Sequence, residues 1–180
     1  MTKRYLLTGS PSSGKTIMII SLELRGEHIV REAAEDYIRF LKFTSGENII
    51  IDNYKQKQLV DLIIQREKRI LPGIDRVFLD RSYPDALAYP HSQEMDDYVH
   101  SLHNQNPFDL VFVMEVLPKY SKSLYRLEDK EAVHTIHQKI LEVYKGLGYN
   151  PIIVPSLPVK NRLEFIMDKV WRYEKDEVKQ

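Results

Sequence analysis

The sequence predicts an α/β fold, a mostly parallel five-stranded sheet flanked by helices. Two observations carry that reading. Short apolar runs alternate with longer stretches of helical periodicity through the 180 residues. The first apolar run also leads straight into the loop Gly9-Ser10-Pro11-Ser12-Ser13-Gly14-Lys15-Thr16, which matches G-x-x-x-x-G-K-[ST] throughout and opens a helix.

Taken in order, strand 4–7 brings Tyr5, Leu6 and Leu7 up to that loop, and helix 15–24 starts at its end and is closed by Gly26. Strand 28–30 is short and apolar, and helix 33–43 follows it. Helix 53–69 carries Leu59, Leu62, Ile63, Ile70 and, less regularly, Val60 as an apolar stripe, with Pro72-Gly73 closing it. Strand 76–79 reads Arg76-Val77-Phe78-Leu79 and precedes helix 83–103. Strand 110–114 is bracketed by Pro107 and Pro118, which leaves its interior free of proline. Gly148 ends helix 131–147, strand 151–154 comes next, and helix 159–173 completes the pattern.

The stretches 44–52 and 119–130 fit neither strand nor helix. Loops of that length in a compact domain are often lids or binding loops. The expected organisation is one domain over residues 1–173 with a charged, fraying tail over 174–180.

Composition narrows the function classes. The 26 basic and 26 acidic residues cancel, which gives no electrostatic reason for nucleic acid or an anionic membrane as a partner. Cysteine is absent, so disulfides and thiolate metal sites are excluded. The apolar run near the start is too short for a secretory signal, and no stretch approaches the length of a membrane span. The expected location is cytoplasmic.

The loop from Gly9 to Thr16 has a chemistry that explains its spelling. Its glycines allow a tight turn and a close approach to phosphates without an intervening Cβ. Successive N–H groups and the N-terminus of the next helix then meet the negative charge together. Lys15 offers a point charge to the β- and γ-phosphates of a nucleoside triphosphate, and Thr16 offers its hydroxyl to Mg²⁺.

Such a loop needs an acid on a neighbouring strand to hold Mg²⁺ or its water. Asp80 ends the run Arg76-Val77-Phe78-Leu79, where open α/β sheets bind ligands. Its alternative role is the N-cap of the following helix. Arg81 comes next and either meets a phosphate or the acceptor, or forms a surface ion pair. Glu32 ends His28-Ile29-Val30-Arg31, a strand expected beside the one that carries the loop. Either Glu32 there or Asp80 takes the proton of an attacking hydroxyl, unless Glu32 simply begins the next helix.

In the basic stretch 119–130, Lys119, Lys122 and Lys130 read as solvated charges. Arg126 is the candidate for a lid cation, because its planar fork suits phosphate. The pairs His100/His103 and His134/His137 have helical spacing but no carboxylate frame for a metal. Tyr37, Tyr54 and Tyr83 are candidates for stacking on a base. Gln65 and Arg66 either line an acceptor pocket or sit on a solvated helix face.

Beyond the loop, Glu32-Ala33-Ala34 with Tyr37, the run Asp80-Arg81-Ser82-Tyr83-Pro84-Asp85-Ala86-Leu87-Ala88-Tyr89, and Leu147-Gly148-Tyr149 resemble a family of AAA-type P-loop ATPases. That family includes the ribosylnicotinamide-kinase domain of a bacterial regulator of NAD biosynthesis. The resemblance extends from the N-terminus to about Val154, and its Asp-Arg-Ser-x-Pro-Asp-Ala-Leu-Ala-Tyr run is far more specific than the loop. It implies a P-loop NTPase fold of nucleoside-kinase type, ATP binding, and site roles for Lys15, Thr16, Glu32, Asp80 and Arg81. The segment Tyr125-Arg126-Leu127-Glu128-Asp129 is only loosely similar to the family's arginine-rich lid.

The expected function is transfer of the γ-phosphoryl group of MgATP to a hydroxyl of a small nucleoside-like acceptor, whose identity the residues do not encode. The alternatives are a regulatory NTPase or switch acting on a protein partner, and a nucleotide-binding protein with little catalysis of its own. No Asn-Lys-x-Asp run for guanine follows the loop, nor a Leu-Ser-Gly-Gly-Gln transporter signature. Ile49-Ile50-Ile51 either covers substrate or contacts a second subunit, so a dimer stays open.

Overall fold

The computed structural model describes residues 2–46, 49–117 and 130–177. Five strands, β1 (Lys3–Thr8), β2 (His28–Val30), β3 (Arg76–Asp80), β4 (Leu110–Met114) and β5 (Ile152–Val154), form one sheet. Their order is β2-β3-β1-β4-β5, and every adjacent pair is parallel. The helices are α1 (Lys15–Leu24), α2 (Ala34–Ser45), α3 (Asn53–Glu67), α4 (Gln93–Gln105), α5 (Lys130–Gly146) and α6 (Val159–Glu177).

A parallel sheet needs both faces covered, and alternate side chains of each strand enter opposite cores. Leu6, Val77, Leu79, Val111 and Val113 pack on one face against Val60 and Ile64 of α3, Val99 of α4 and Ile140 of α5. Tyr5, Leu7, Phe78, Phe112 and Met114 pack on the other against Met18, Ile19 and Leu22 of α1 and Ile166, Met167 and Val170 of α6. Tyr5, Leu6 and Leu7 are all fully buried, as a central strand requires. No helix among the described residues is long and apolar enough to cross a membrane.

Four sequence expectations are corrected. The strand that ends near Glu32 is not beside β1: β2 is an edge strand, with β3 between them. Alternation along the sequence signals parallel strands but carries no information on their order. The single helix expected over 83–103 is a 3₁₀ helix, Tyr83–Ala88, followed by α4. Pro84 sits in the first turn of that 3₁₀ helix, and Tyr89, before Pro90, is extended as residues preceding proline tend to be. A new helix then starts where Ser92 caps the Met95 N–H. On α3 the buried stripe is Gln56, Val60, Ile64 and Glu67, while Leu59, Leu62 and Ile63 are only half-buried. Finally, α6 continues to Glu177, and Glu174 accepts hydrogen bonds from Tyr5 and Arg76, so this part of the expected tail is helical and anchored.

Candidate functional site

The carboxyl ends of β1 and β3 lie side by side, with Leu7 opposite Asp80, and the Gly9–Thr16 loop rises directly from β1. Gly9 has φ +142°, and a Cβ there would lie 2.8 Å from the Met114 carbonyl oxygen of β4. Gly14 has φ +85°, and a Cβ there would lie 3.0 Å from Arg162 Nη1. Both glycines are therefore favoured by conformation, and Gly9 is required by space as well, since what it would meet is backbone. From Gly14 in the left-handed region the chain turns into α1, so consecutive N–H groups line a concavity at a helix N-terminus.

Lys15 is buried, and its Nζ donates to the carbonyls of Gly9 at 2.9 Å and Ser10 at 3.1 Å. Burial brings its pKa down to about 7, with the Arg81 charge adding to the effect. Thr16, the second residue of α1, is exposed.

Asp80 is buried at the end of β3, and burial, seconded by the Glu32 carboxylate, raises its pKa to about 6. It caps no helix, because the next helical turn begins at Tyr83 with Ser82 in the flanking position. Arg81 takes the left-handed conformation at φ 60°, its N–H donating to the Leu7 carbonyl at 2.9 Å. That turn directs its guanidinium inward, with Nε 3.1 Å from Glu32 Oε1 and Nη1 3.0 Å from Asp85 Oδ2. Burial works against this guanidinium's charge, but Glu32 and then Asp85 hold its pKa above the ordinary value. Arg81 thus forms a largely buried ion pair instead of a surface one.

Asp85 is the hub beneath. It also accepts from Thr8 Oγ1 at 2.7 and 2.8 Å and from Tyr144 Oη of α5 at 2.8 Å. Glu32 lies just ahead of α2, whose flanking residue is Ala33, and is half-buried at the edge of this group.

The residues fit a divalent cation and a polyphosphate. Asp80 Oδ1 and Ser10 Oγ are buried without a hydrogen-bond partner among the described residues, and hydroxyl and carboxylate oxygens are the donors that a hard cation prefers. The arrangement can cradle anionic oxygens, neutralise their charge, and present a carboxylate from an adjacent strand.

Over residues 4–162 the sequence matches the family described as AAA domain. The chain belongs to the AAA-domain family. A search of curated proteins gave no match. Solved structures share the fold of this family member. Deoxyadenosine kinase from M. mycoides, with the products dCMP and dCDP, superposes with a TM-score of 0.63 at 20% identity, covering 93% of this chain and 98% of that one. The NadR protein in complex with NR gives 0.73 at 19% identity, with 96% of this chain matching 51% of that one. Thymidylate kinase from Ehrlichia chaffeensis gives 0.66 at 14% identity, over 94% and 98% of the two chains. The protein has a nucleoside-kinase-like P-loop fold.

The structure brings together Lys15, Glu32, Asp80 and Arg81, with Thr16 at the mouth of the loop. Arg126, with Lys119 and Lys122, lies outside the described residues. Tyr83 is fully buried beside Phe108 and has no face for a base; Tyr37 is buried and donates to Gln58, and Tyr54 is exposed. Gln65 is exposed, while Arg66 donates to the Arg31 and Glu32 carbonyls and pairs with Asp36, tying α3 to the start of α2.

Two residues escape sequence reasoning. Asp85 stood in the specific run after Asp80 and could have been found there. Arg162 had no signal. It is buried on α6 and donates to the carbonyls of Ser13, Pro155 and Glu115.

Proposed function

We propose that the protein transfers the γ-phosphoryl group of MgATP to a hydroxyl of a small nucleoside-like metabolite. The observation that carries this reading is the layering at the carboxyl edge of the sheet. The loop follows β1, the buried Asp80 ends the adjoining β3, and the more accessible Glu32 lies beyond it, after the edge strand β2.

In this reading Gly9 to Thr16 wraps the triphosphate, and Lys15 leaves its loop carbonyls for the β- and γ-oxygens. Thr16 and Asp80 hold Mg²⁺, which supplies charge neutralisation on the phosphate oxygens when bound. Glu32, farther from the loop, accepts the proton of the attacking hydroxyl. Arg81, held between Glu32 and Asp85, exchanges part of its pairing with Glu32 for the transferring group. Arg126 contributes positive charge to the transferring group. Catalysis is mainly positioning and charge stabilisation. The deoxyadenosine and thymidylate kinases among the structural neighbours support an acceptor of nucleoside or nucleotide type. A cytoplasmic enzyme without nucleic-acid or membrane partners completes the proposal.

A second reading is a regulatory NTPase acting on a protein partner. It is favoured by the exposed Phe40 and Phe43 of α2 and by Ile50 and Ile51 beyond it.

An acceptor screen decides between them. ADP release from MgATP is measured across nucleosides, nucleotides, pyridine ribosides and other hydroxylated metabolites, with Lys15→Met as the inactive control. The kinase reading expects one class to accelerate release well above hydrolysis. Slow hydrolysis with every acceptor, altered only by a protein partner, gives the regulatory reading instead.

A further inference from the structure

Arg162 is among the most buried charged side chains described, at 3% exposure, and it belongs to none of the motifs that spell the site. Among the described residues it forms no ion pair; all its described hydrogen bonds go to backbone carbonyls. Nη1 donates to Ser13 at 2.7 Å, Nε to Pro155 at 2.7 Å, and Nη2 to Glu115 at 3.1 Å. These acceptors belong to the phosphate loop, the chain leaving β5 and the chain leaving β4. Burial opposes the charge of Arg162 and the nearby Glu115 carboxylate offsets only part of that, so an apolar side chain on α6 would pack against the sheet at lower cost. The guanidinium instead bridges three carbonyls, one of them in the phosphate loop.

The Ser13 contact indicates what this bridge does. In a trans peptide the carbonyl and the following N–H point in opposite directions. Holding the Ser13 carbonyl on the guanidinium therefore turns the Gly14 N–H to the other side, away from α6. The charge also polarises that peptide and strengthens its N–H as a donor. The guanidinium also packs closely against the Gly14 backbone, where an added Cβ would lie 3.0 Å from the same Nη1 and 3.4 Å from Leu117 Cδ1.

We infer that Arg162 is a positioning residue for triphosphate binding: it orients and polarises the Ser13–Gly14 peptide from behind the loop, and places a positive charge there that bound phosphate compensates. The inference rests on the ATP-binding reading above. Its effect grows with the negative charge of the ligand, whereas a role confined to packing lowers melting temperature and affects all nucleotides alike.

The test measures Kd for AMP-PNP and for ADP, each with Mg²⁺, by calorimetry on wild type, Arg162→Gln and Arg162→Lys, with melting temperatures alongside. The glutamine variant, having no charge and a single donor group, is expected to lose roughly tenfold for AMP-PNP and less for ADP. The lysine variant keeps the charge but not the three-way bridge, and falls between. Should the glutamine variant fail to fold, the lysine variant decides: a larger loss for AMP-PNP than for ADP supports the inference, and wild-type binding overturns it. Equal losses for the two ligands, or an unchanged glutamine variant, overturn the inference alone. A wild type that binds neither nucleotide overturns the kinase reading and this inference with it.

Discussion

Lys15 lies among the carbonyls of its own loop, where burial, with the Arg81 charge, brings its pKa down to about 7. The folded value is below that of an unfolded lysine, so between pH 7 and about 10 the unfolded chain binds more protons. Stability contributed by this residue therefore rises with pH across that window, and the charged form carries a penalty below it. Lys15→Met removes the penalty. The variant is expected to melt above wild type at pH 6, to lose that advantage progressively between pH 7 and about 10, and to show no shift with AMP-PNP and Mg²⁺, all read by thermal denaturation. A lower melting temperature at pH 6 would mean that the carbonyl hydrogen bonds outweigh the burial of charge. At this scale the sequence was legible where a residue is named by its neighbours. Lys15, Thr16, Asp80 and Arg81 sit in runs whose spacing implies their setting. Arg162 acts on carbonyls of three distant segments, and carbonyls leave no mark in a sequence.

Elements were legible to the extent that punctuation is local. The bounds of β2 and β4 were those expected, and α1 begins where the loop ends. The break between the 3₁₀ helix and α4 was written in Pro84, Pro90 and Ser92, signals that the apolar periodicity of the region overrode. Glycines separate two kinds of requirement. Gly26, after α1, has φ +92° and nothing within 4 Å of an added Cβ, so Gly26→Ala meets only conformational strain of about 1 kcal/mol. Gly9→Ala meets the same kind of strain and a backbone oxygen at 2.8 Å. It is expected to cost roughly 3 kcal/mol or more in urea unfolding, and to abolish nucleotide binding even where it folds.

For the whole molecule, the sequence implied parallel strands and a covered sheet, but the order of the strands depends on which apolar faces meet after the chain has wound back on itself. That is why β2 was expected beside β1 and stands one strand away. The misplacement matters for the site, because Glu32 is thereby set beyond Asp80 as seen from the loop, the spacing on which the roles proposed for the two carboxylates rest. A ligand that joins β1, β3 and the loop is expected to stabilise the molecule as a unit. AMP-PNP with Mg²⁺ at about a hundred times its Kd should add ~2.7 kcal/mol to unfolding. Amide exchange should slow at residues 8–16 and 79–81 and stay unchanged at residues 171–177 of α6.

The same strand order governs how the chain reaches this state. Within this sequence the central strand precedes both its partners, β3 and β4, which begin only at Arg76 and Leu110. Tyr5, Leu6 and Leu7 must wait as an unpaired apolar segment until Arg76–Asp80 has emerged and lack their second neighbour until Leu110–Met114 has, while Arg162 joins the loop later still. Pairings this distant in sequence close slowly and expose sticky edges meanwhile. The nascent chain is therefore expected to depend on shielding by chaperones until β4 has emerged, and a truncation before Leu110 should be insoluble instead of partly active.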